Sequence, residues 1–372
     1  MKRVGLIIGQ LSWGGAERQL YELAIRLHRE NIKPFIYCLS EDIFPYSSML
    51  IDSGIEVRVI PRKSHFDIGR AWRLRSWLNR DCIDIAHSWL IDDDAYNALA
   101  HVFHRRPWIA SMRSLPTERD PIRKRIDRWA LRSAPLIIVN ERQVIDYLMR
   151  EYGCDRARIR LIPNGIDLQR LMPVQSLDNV RSDLQTPMKE PVVIMAGRLE
   201  PVKRVELLIE AFSGFRRKNH AGYLWVVGNG SQKERLQAVS TEARMDEYIR
   251  FPGNRDDLPD LLHAADLFVL TSETEGLPNV VLEAMGCGLP VLVSPGSGCG
   301  DLIQQGQNGW LASDSDPRTF ERMIESILSS PAECHQIGCQ ARKTIQESYS
   351  VDLMVSRMAQ TYRGLFMLNP VG

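Results

Sequence analysis

Residues 267–286 read LFVLTSETEGLPNVVLEAMG, and this stretch decides the fold. The apolar run at its start predicts a strand, the Gly-Leu-Pro sequence predicts a turn, and a helix is expected to begin near Asn279. This order places Glu275 on the loop and Glu283 on the first helical turn. We therefore expect both carboxylates to line one crevice at the carboxyl end of the strand.

The predicted helix start and the two carboxylates favour different chemical groups. Backbone N–H groups and the positive end of the helix dipole at an amino terminus suit a phosphate. Carboxylates instead accept hydrogen bonds from neutral hydroxyls such as those of a ribose or a hexose. A phosphate beside a sugar describes a nucleotide-sugar ligand.

The same order of strand and helix recurs along the chain. Short apolar runs predict strands at residues 4–8, 35–39, 57–60, 83–87, 108–111 and 136–139, and again at 192–195, 223–227, 248–251, 267–270 and 290–293. Amphipathic stretches lie between them, as in residues 17–29, whose apolar positions follow helical spacing. We predict an α/β fold of two doubly wound, Rossmann-like domains of parallel sheet that face a cleft.

The length of 372 residues exceeds what one typical core supports and indicates two domains. We predict an N-terminal, acceptor-side domain over 1–170 and a C-terminal, nucleotide-sugar-binding domain over 171–350. The polar stretch 173–191, which contains Pro187, is interpreted as a linker. Residues 351–372 are expected to form a helix that returns to the N-terminal domain.

Composition indicates the cellular compartment of this protein. No apolar run approaches the length of a membrane span, and the first one is too short for the core of a signal peptide. The seven scattered cysteines contain no C-x-x-C pair, so a disulfide framework and a zinc site are both disfavoured. We predict a cytoplasmic protein.

The net charge of +1 hides an asymmetry between the two halves. Residues 1–172 hold 28 Lys and Arg against 21 Asp and Glu, whereas the remainder hold 19 against 25. Basic residues interleave with Trp72 and Trp77 and surround Trp129, as in helices that rest on anionic membranes. A solvated helix surface is the alternative for each stretch. Nucleic acid is excluded as a partner because none of its common binding motifs is present.

A glycine pair follows the first predicted strand. In the loop Gln10-Leu-Ser-Trp13-Gly14-Gly15-Ala-Glu17, the glycines would let backbone N–H groups approach a ligand before the helix starts. A tight turn is the plainer interpretation. The pattern is not G-x-G-x-x-G, which argues against a nicotinamide-dependent dehydrogenase.

The second half begins with a similar loop that carries two cations. Arg198 and Lys203 follow the strand at 192–195, where a guanidinium fork and an ammonium could offset the charge of a departing diphosphate. Solvated surface cations are the alternative. The turns at Gly228 and at Asn254-Arg255 could place backbone atoms against a base, although turn chemistry explains them equally well.

Taken in order, these motifs resemble the retaining family-4 glycosyltransferases of the GT-B fold, over nearly the whole chain. The resemblance rests on Gly14-Gly15-Ala16-Glu17, Pro163-Asn164-Gly165-Ile166-Asp167, Gly197-Arg198-Leu199 with Pro201 and Lys203, Gly228-Asn-Gly230, the Glu275 and Glu283 pair, and Gly306-Gln-Asn308-Gly309.

The resemblance implies a role for each matching residue. Arg198 and Lys203 would bind the diphosphate, and Glu275 would bind the transferred sugar. Glu283 would bind the ribose. The donor-binding set is Gly15 at the distal phosphate, Gly228, Asn254 and Arg255 near the base, and Gly276, Leu277, Asn279 and Val280 at the helix start. Catalysis would then consist mainly of stabilising the departing phosphate, whose oxygen helps to deprotonate the acceptor in a same-face attack.

This sequence departs from the family at one position. Many relatives carry a histidine near the sugar, and the corresponding stretch at 109–114 has Arg113 instead. Arginine cannot act as a general base, but it could bind a phosphate of donor or acceptor. His87 is the nearest substitute, and a structural histidine is the alternative. Trp13, Glu17, His87 and Arg113 are therefore the acceptor-side candidates.

Three other functions compete with transfer. Paired carboxylates also occur in glycoside hydrolases, but the phosphate-binding features argue against that class. A nucleotide-sugar epimerase would convert the donor alone, and a non-catalytic nucleotide-sugar-binding protein would bind it without turnover.

Asp92-Asp93-Asp94 contains a D-x-D sequence, which we interpret as acidic residues at a helix start and not as a manganese site.

The sequence therefore predicts a metal-independent, retaining glycosyltransferase without a cofactor other than its donor substrate. It would move a hexose or N-acetylhexosamine from a nucleoside diphosphate to a growing, lipid-linked glycan in polysaccharide biosynthesis. UDP is the expected carrier, although the sequence leaves uracil and guanine open. We expect it in the cytoplasm, peripheral on the inner face of the plasma membrane.

Overall fold

The computed structural model describes residues 1–63, 67–102, 106–116, 120–218 and 220–368. Within these ranges two parallel sheets contain seven and six strands. The strands are β1 (Lys2–Ile8), β2 (Ile32–Cys38), β3 (Glu56–Val59), β4 (Ile85–Ser88), β5 (Trp108–Met112), β6 (Leu136–Val139), β7 (Ile159–Leu161), β8 (Val192–Ala196), β9 (Tyr223–Val227), β10 (Ile249–Gly253), β11 (Leu267–Leu270), β12 (Val291–Val293) and β13 (Trp310–Leu311).

Helices connect successive strands in both sheets, except that a loop joins β12 to β13. They are α1 (Gly15–Ala24), α2 (Tyr46–Asp52), α3 (Gly69–Arg80), α4 (Ile91–His101), α5 (Pro121–Ser133), α6 (Arg142–Tyr147), α7 (Leu177–Asp183), α8 (Val205–Arg217), α9 (Lys233–Glu242), α10 (Leu258–Ala264), α11 (Asn279–Gly286), α12 (Pro317–Leu328), α13 (Pro331–Ser348) and α14 (Val351–Leu368). No helix in the described ranges has the length and apolar character that crossing a bilayer requires.

The chain divides into two compact units. One contains Met1–Gly165 and Val351–Gly372, and the other contains Ile166–Ser350. The division therefore lies at residue 165 and not after residue 170. The helix α14 belongs to the first unit, where Met358 and Tyr362 share a core with Leu6 and Ile36.

The first sheet has the strand order β3-β2-β1-β4-β5-β6-β7. Successive residues of β1 point to opposite faces, so Leu6 and Ile8 join one buried cluster while Ile7 joins another with Tyr37. Helices cover both faces, which explains why the central strands are continuous apolar runs.

The second sheet repeats this plan with the order β10-β9-β8-β11-β12-β13. Ile194 of β8 packs in one cluster, while Val193 and Met195 pack in the cluster on the other face. The predicted fold class, two doubly wound parallel α/β units, is confirmed.

Two details of the sequence prediction were wrong. Residues 173–191 are not a linker, because they contain α7, whose Val180 is buried in the core of the second unit. Arg181 of the same helix is also buried, and it donates to the carbonyl of Ala264 and to Asp266. The edge strands β7 and β13 were missed, since three and two residues give too short a pattern to recognise.

Candidate functional site

In the second unit, the loop between β11 and α11 is fastened to the turn that follows β8. Thr271 Oγ1 donates to the carbonyl oxygens of Lys203 at 2.9 Å and Arg204 at 3.1 Å. The backbone N–H of Glu273 donates to the carbonyl of Val202 at 2.8 Å. Because β8 and β11 are neighbouring parallel strands, these bonds hold together two loops that leave the same edge of the sheet.

Lys203 and Glu275 form an ion pair between these loops. Ser272 Oγ donates to the same carboxylate oxygen of Glu275 at 3.0 Å. The two charged side chains are only 15% and 19% exposed, so water screens them incompletely. A phosphate could replace the carboxylate at the ammonium, while a sugar hydroxyl could donate to the carboxylate.

Arg198 lies on the loop between β8 and Lys203 and is exposed. Its guanidinium forms no hydrogen bond or ion pair with any residue in the described part of the chain. Hydrogen bonds from Ser231, one of them from its Oγ at 2.6 Å, and to a lesser extent the charge of Arg198 lower the pKa of Glu200. The Arg198 charge is therefore available to an anionic ligand.

Glu283 is buried in α11, which begins at Asn279 as predicted. It is the fifth residue of this helix, so it lies in the second turn and not in the first. Pro278 precedes the helix, and no side chain among the described residues caps its amino end. Gly276, Leu277, Asn279 and Val280 form the loop end and first turn, where backbone N–H groups concentrate.

The loop at 294–300, which was not predicted as part of the site, supports this region. Its Gly296 carbonyl accepts from the N–H of Glu275 at 3.0 Å. Gly298 has a φ of +68°, and a Cβ there would lie 1.7 Å from the carbonyl oxygen of Gly276. The signal was a glycine-rich sequence, SPGSGCG, directly after a predicted strand.

Gly228 ends β9 against the loop that carries Arg198. Its φ is +129°, and a Cβ there would lie 2.0 Å from the carbonyl oxygen of Gly197. The N–H of Gly228 donates to the carbonyl of Gly253 at 2.8 Å. Gly253 directly precedes Asn254, whose side chain is exposed. Gly228 therefore permits close approach of three strand ends.

Arg255 is engaged within the second unit. Its Nε and Nη2 donate to the two carboxylate oxygens of Asp257, each at 2.7 Å, and its Nη1 donates to Asp183 at 2.7 Å. Because these bonds occupy all three nitrogens, the side chain of Arg255 clamps α7 to the loop after β10, and the predicted contact with a base is left to the backbone of this turn.

In the first unit, the glycine pair differs from the sequence interpretation. Gly14 has an extended backbone that any residue adopts, and Gly15 is simply the first residue of α1. A Cβ on Gly14 would collide with the carboxylate of Glu17, which is buried and accepts from Gln10 Nε2 at 3.1 Å. Trp13 is exposed, with its ring edge-on to Tyr46.

His87 is fully buried, which favours the structural alternative over a substitute base. Its Nδ1 lies 2.7 Å from Tyr362 Oη, and its Nε2 lies 2.7 Å from Ser111 Oγ. Burial, together with the nearby charge of Arg113, holds the pKa of His87 well below its ordinary value. With both nitrogens occupied and the ring neutral, His87 fixes α14 against β4 and β5.

Arg113 ends β5 as a buried guanidinium. It stacks on Trp89, with 3.6 Å from the guanidinium carbon to the ring centroid, and its Nη1 donates to Asn164 Oδ1 at 3.1 Å. Burial lowers the pKa of Arg113 to about 9, so the group remains charged at neutral pH. No carboxylate in the described ranges pairs with it.

The Asp92-Asp93-Asp94 sequence opens α4, but Asp93 and Asp94 are not solvated helix charges. Both are buried, and burial raises the pKa of each well above its ordinary value. Asp94 accepts from Ser88 Oγ at 2.6 Å and from the N–H of Ser111 at 3.3 Å. Among the residues described, no group of three or more His, Cys, Asp and Glu side chains could hold a metal ion.

The two predicted basic helices differ. On α3, Arg70 is buried and Arg73 pairs with Asp67 at 2.7 Å, so this helix is largely committed to its own unit. On α5, Ile122, Ile126 and Trp129 are exposed at 69%, 45% and 43%, and they follow helical spacing on one face.

Two family models match this chain. The model for Glycosyltransferase Family 4 matches residues 13–170, and the model for Glycosyl transferases group 1 matches residues 177–344. Together they span most of both units.

Curated relatives agree with these matches. The chain is 29% identical over 205 residues to lipopolysaccharide core biosynthesis glycosyltransferase LpsE of Rhizobium meliloti (strain 1021), covering 55% of this chain and 58% of LpsE. It is 28% identical over 300 residues to glycogen synthase of Mycobacterium tuberculosis (strain ATCC 25618 / H37Rv), covering 77% and 69%. The chain spans about half to two thirds of the length of the first curated relatives that it matches.

Solved structures share the fold. Anabaena Alr3699/HepE in complex with UDP-glucose superposes with a TM-score of 0.87 at 20% identity, covering 98% of this chain and 100% of that one. Both sheets, their loop motifs and the two family matches lead to one assignment: the chain belongs to the family-4 glycosyltransferases, which have the GT-B fold.

Proposed function

We propose that this protein is a retaining glycosyltransferase that moves a hexose or N-acetylhexosamine from a UDP-linked donor to a growing, lipid-linked glycan. The observation that carries the proposal is the pairing of Lys203 with Glu275 on loops next to Arg198, whose exposed guanidinium forms no ion pair in the described ranges. The UDP-glucose complex of the structurally similar HepE and the lipopolysaccharide core assignment of LpsE support the donor and the kind of glycan.

Arg198 and Lys203 would act on the departing diphosphate. Bond cleavage leaves negative charge on the phosphate oxygens, and cations fixed beside a helix start stabilise that charge without reorganising. These two cations replace the divalent ion that other glycosyltransferases need, so no metal is required in this proposal. Donor binding would exchange the carboxylate partner of Lys203 for a phosphate.

The two glutamates would hold the neutral parts of the donor. Glu275 would accept from hydroxyls of the transferred sugar, and buried Glu283 would accept from those of the ribose. Retention would follow from attack on the face that the diphosphate leaves, with a phosphate oxygen taking the acceptor proton. His87, which is neutral and has a hydrogen bond at each ring nitrogen, would take no part in that proton transfer.

The first unit would receive the acceptor, and α5 would rest on an anionic membrane. Its exposed apolar stripe of Ile122, Ile126 and Trp129 is flanked by Arg125 and Arg132, the arrangement of an interfacial helix. All seven cysteines are free, which fits a reducing cytoplasm and the inner face of the plasma membrane.

The first experiment is a thermal-shift screen of UDP, GDP and their sugars, followed by product analysis with lipid-linked acceptors in excess chelator. Ligand binding raises the apparent Tm by mass action, so the best donor shows the largest shift. NMR of the product should show the anomeric configuration of the donor retained. Conversion of donor alone would favour an epimerase, and binding without turnover across the acceptor panel would favour a non-catalytic protein.

A further inference from the structure

Arg113 is a buried charge for which the described residues supply only neutral partners. Its side chain contacts the ring of Trp89 and the amide oxygen of Asn164. The guanidinium Nε is buried without an acceptor in the described structure. The guanidinium therefore keeps at least one donor that no acceptor in the described structure satisfies.

No carboxylate in the described ranges pairs with Arg113, and several on neighbouring elements accept from neutral donors instead. Asp94 accepts from Ser88 and Ser111, and Glu17 accepts from Gln10. A buried charge without a counter-charge is costly, and such groups in proteins are nearly always paired. An arginine kept in this state indicates a counter-ion that arrives with a ligand.

We propose that Arg113 binds an anionic group, a carboxylate or a phosphate, carried by one of the protein's own substrates. The guanidinium fork matches the two oxygens of either group, and stacking on Trp89 together with the bond to Asn164 fixes its orientation in advance. Arg113 also directly follows β5, beyond the carboxyl ends of the strands, where parallel sheets bind their ligands. The anion site stands on geometry, whereas its assignment to donor or acceptor rests on the proposed function.

The anion site is tested first with simple ions. Inorganic phosphate and acetate are titrated against chloride at constant ionic strength, and the Tm is followed for the wild type, Arg113→Gln, Arg113→Lys and the control Arg160→Gln, an exposed arginine of β7. Each shift is measured from the variant's own Tm in chloride, so a change in basal stability does not enter. We expect phosphate or acetate to raise the Tm of the wild type and the control, and to raise it less in Arg113→Lys and least in Arg113→Gln. Any phosphate response that remains in Arg113→Gln is assigned to Arg198 and Lys203. An equal response in Arg113→Gln and wild type would overturn the proposal.

Two further arms identify which substrate carries the anion. The donor arm compares the Kd of UDP-glucuronic acid with that of UDP-glucose. The acceptor arm compares UDP release stimulated by glucose 6-phosphate with that stimulated by glucose. In one arm, we expect Arg113→Gln to weaken use of the charged probe by at least about 10-fold and to leave the neutral probe within about 2-fold, because truncating one partner of a buried charge pair is costly.

The outcomes separate this inference from the proposed function. Equal losses for charged and neutral probes, or no loss in either arm, would overturn the assignment of Arg113 to a substrate anion while transfer from UDP-glucose persists. If no UDP-sugar binds but the phosphate response still depends on Arg113, the donor proposal fails and the anion site stands.

Discussion

At the scale of single residues, substitution of Lys203 or Glu275 tests the proposed catalytic role of this ion pair. Both are partly buried and pair with each other, so either substitution also leaves its partner without its main counter-charge. We expect Lys203→Ala and Glu275→Gln each to lower kcat by about 10²- to 10³-fold, the usual effect of removing one electrostatic stabiliser of a transition state. Steady-state kinetics with the donor identified by the screen measures this.

The matched control is Glu273→Gln, an exposed carboxylate in the same loop, which should stay within about 2-fold of the wild type. A rise in KM at constant kcat for Lys203→Ala would contradict a catalytic role, because it would show equal binding of ground state and transition state.

Asp94 provides a pH test of the buried polar cluster in the first unit. Burial raises its pKa well above 3.8, so above that pH the folded state keeps a proton that the unfolded state releases. The free energy of unfolding therefore falls as pH rises from 3.8 toward the folded pKa. Asp94→Asn keeps the shape and one acceptor, and removes the carboxyl oxygen that has no partner in the described structure.

We expect Asp94→Asn to unfold less readily than wild type at pH 8, by about 1 to 3 kcal/mol, and to differ little at pH 4. Denaturant unfolding at both pH values measures the difference. Destabilisation of the variant at pH 8 would show that Asp94 is needed as a charged group.

Single residues also show where the sequence was insufficient. The place of Glu275 on the loop and the helix start at Asn279 followed from local order alone, because a strand, a turn and a helix start are short-range patterns. Glu283 lies one turn later than predicted. The hydrogen bond that orients His87 comes from Tyr362, 275 residues away in the chain, and no local pattern encodes that contact. For the same reason the buried state of Asp93 and Asp94 was not predicted.

At the scale of elements, Gly228 sets how closely the ends of β8 and β9 approach. Any side chain there would meet the backbone of Gly197, and its φ of +129° is strained for an L-residue. We expect Gly228→Ala to destabilise the protein by about 1 to 3 kcal/mol, the range for overpacking. It should also weaken UDP binding, since the loop bearing Arg198 must move.

Denaturant unfolding and UDP titration check both effects. Gly364→Ala is the control: it lies inside α14 with nothing near its Cβ, and alanine there should stabilise the helix by about 1 kcal/mol. Wild-type stability and UDP affinity in Gly228→Ala would contradict the close-approach argument.

The α5 helix carries the membrane prediction. We expect Arg125→Gln/Arg132→Gln to weaken binding to vesicles of phosphatidylglycerol and phosphatidylcholine by about 10- to 30-fold, at about 1 kcal/mol for each basic residue near the surface. Ile126→Gln/Trp129→Ala should weaken binding at all salt concentrations, because it removes apolar contact. Co-sedimentation measures both.

The charge-matched control is Arg217→Gln/Arg318→Gln, two exposed arginines of the second unit, which should bind vesicles like wild type. If the control loses as much vesicle binding as Arg125→Gln/Arg132→Gln, the net charge of the protein, and not the position of α5, explains the loss. Unchanged binding in all variants would remove α5 from the proposal.

Elements were predicted well where burial makes a long apolar run. The strands β1, β6, β9 and β11 lie in sheets covered on both faces, so their hydrophobic pattern is continuous and local. The stretch containing α7 was misinterpreted because only a few of its residues face the core. Its stability comes from Arg181 and Asp266, which are distant in sequence.

At the scale of the whole molecule, two units with separate cores share one chain. The first unit is completed only by α14, which returns after the second unit has ended and buries Met358 among the residues of the first sheet. Domains with their own cores often unfold in separate steps. A ligand bound by one unit should then raise the transition of that unit alone.

Calorimetry with and without UDP tests this arrangement through two matched Met→Ala substitutions at fully buried positions, Met358 in α14 and Met195 in β8. Each should destabilise its own unit by about 2 to 5 kcal/mol, the cost of such a cavity. We expect Met358→Ala to lower the transition that UDP leaves unmoved, and Met195→Ala to lower the transition that UDP raises. A single transition that both substitutions and UDP move together would contradict this expectation. It would mean that the two units unfold cooperatively, so that the stability of one unit depends on the other.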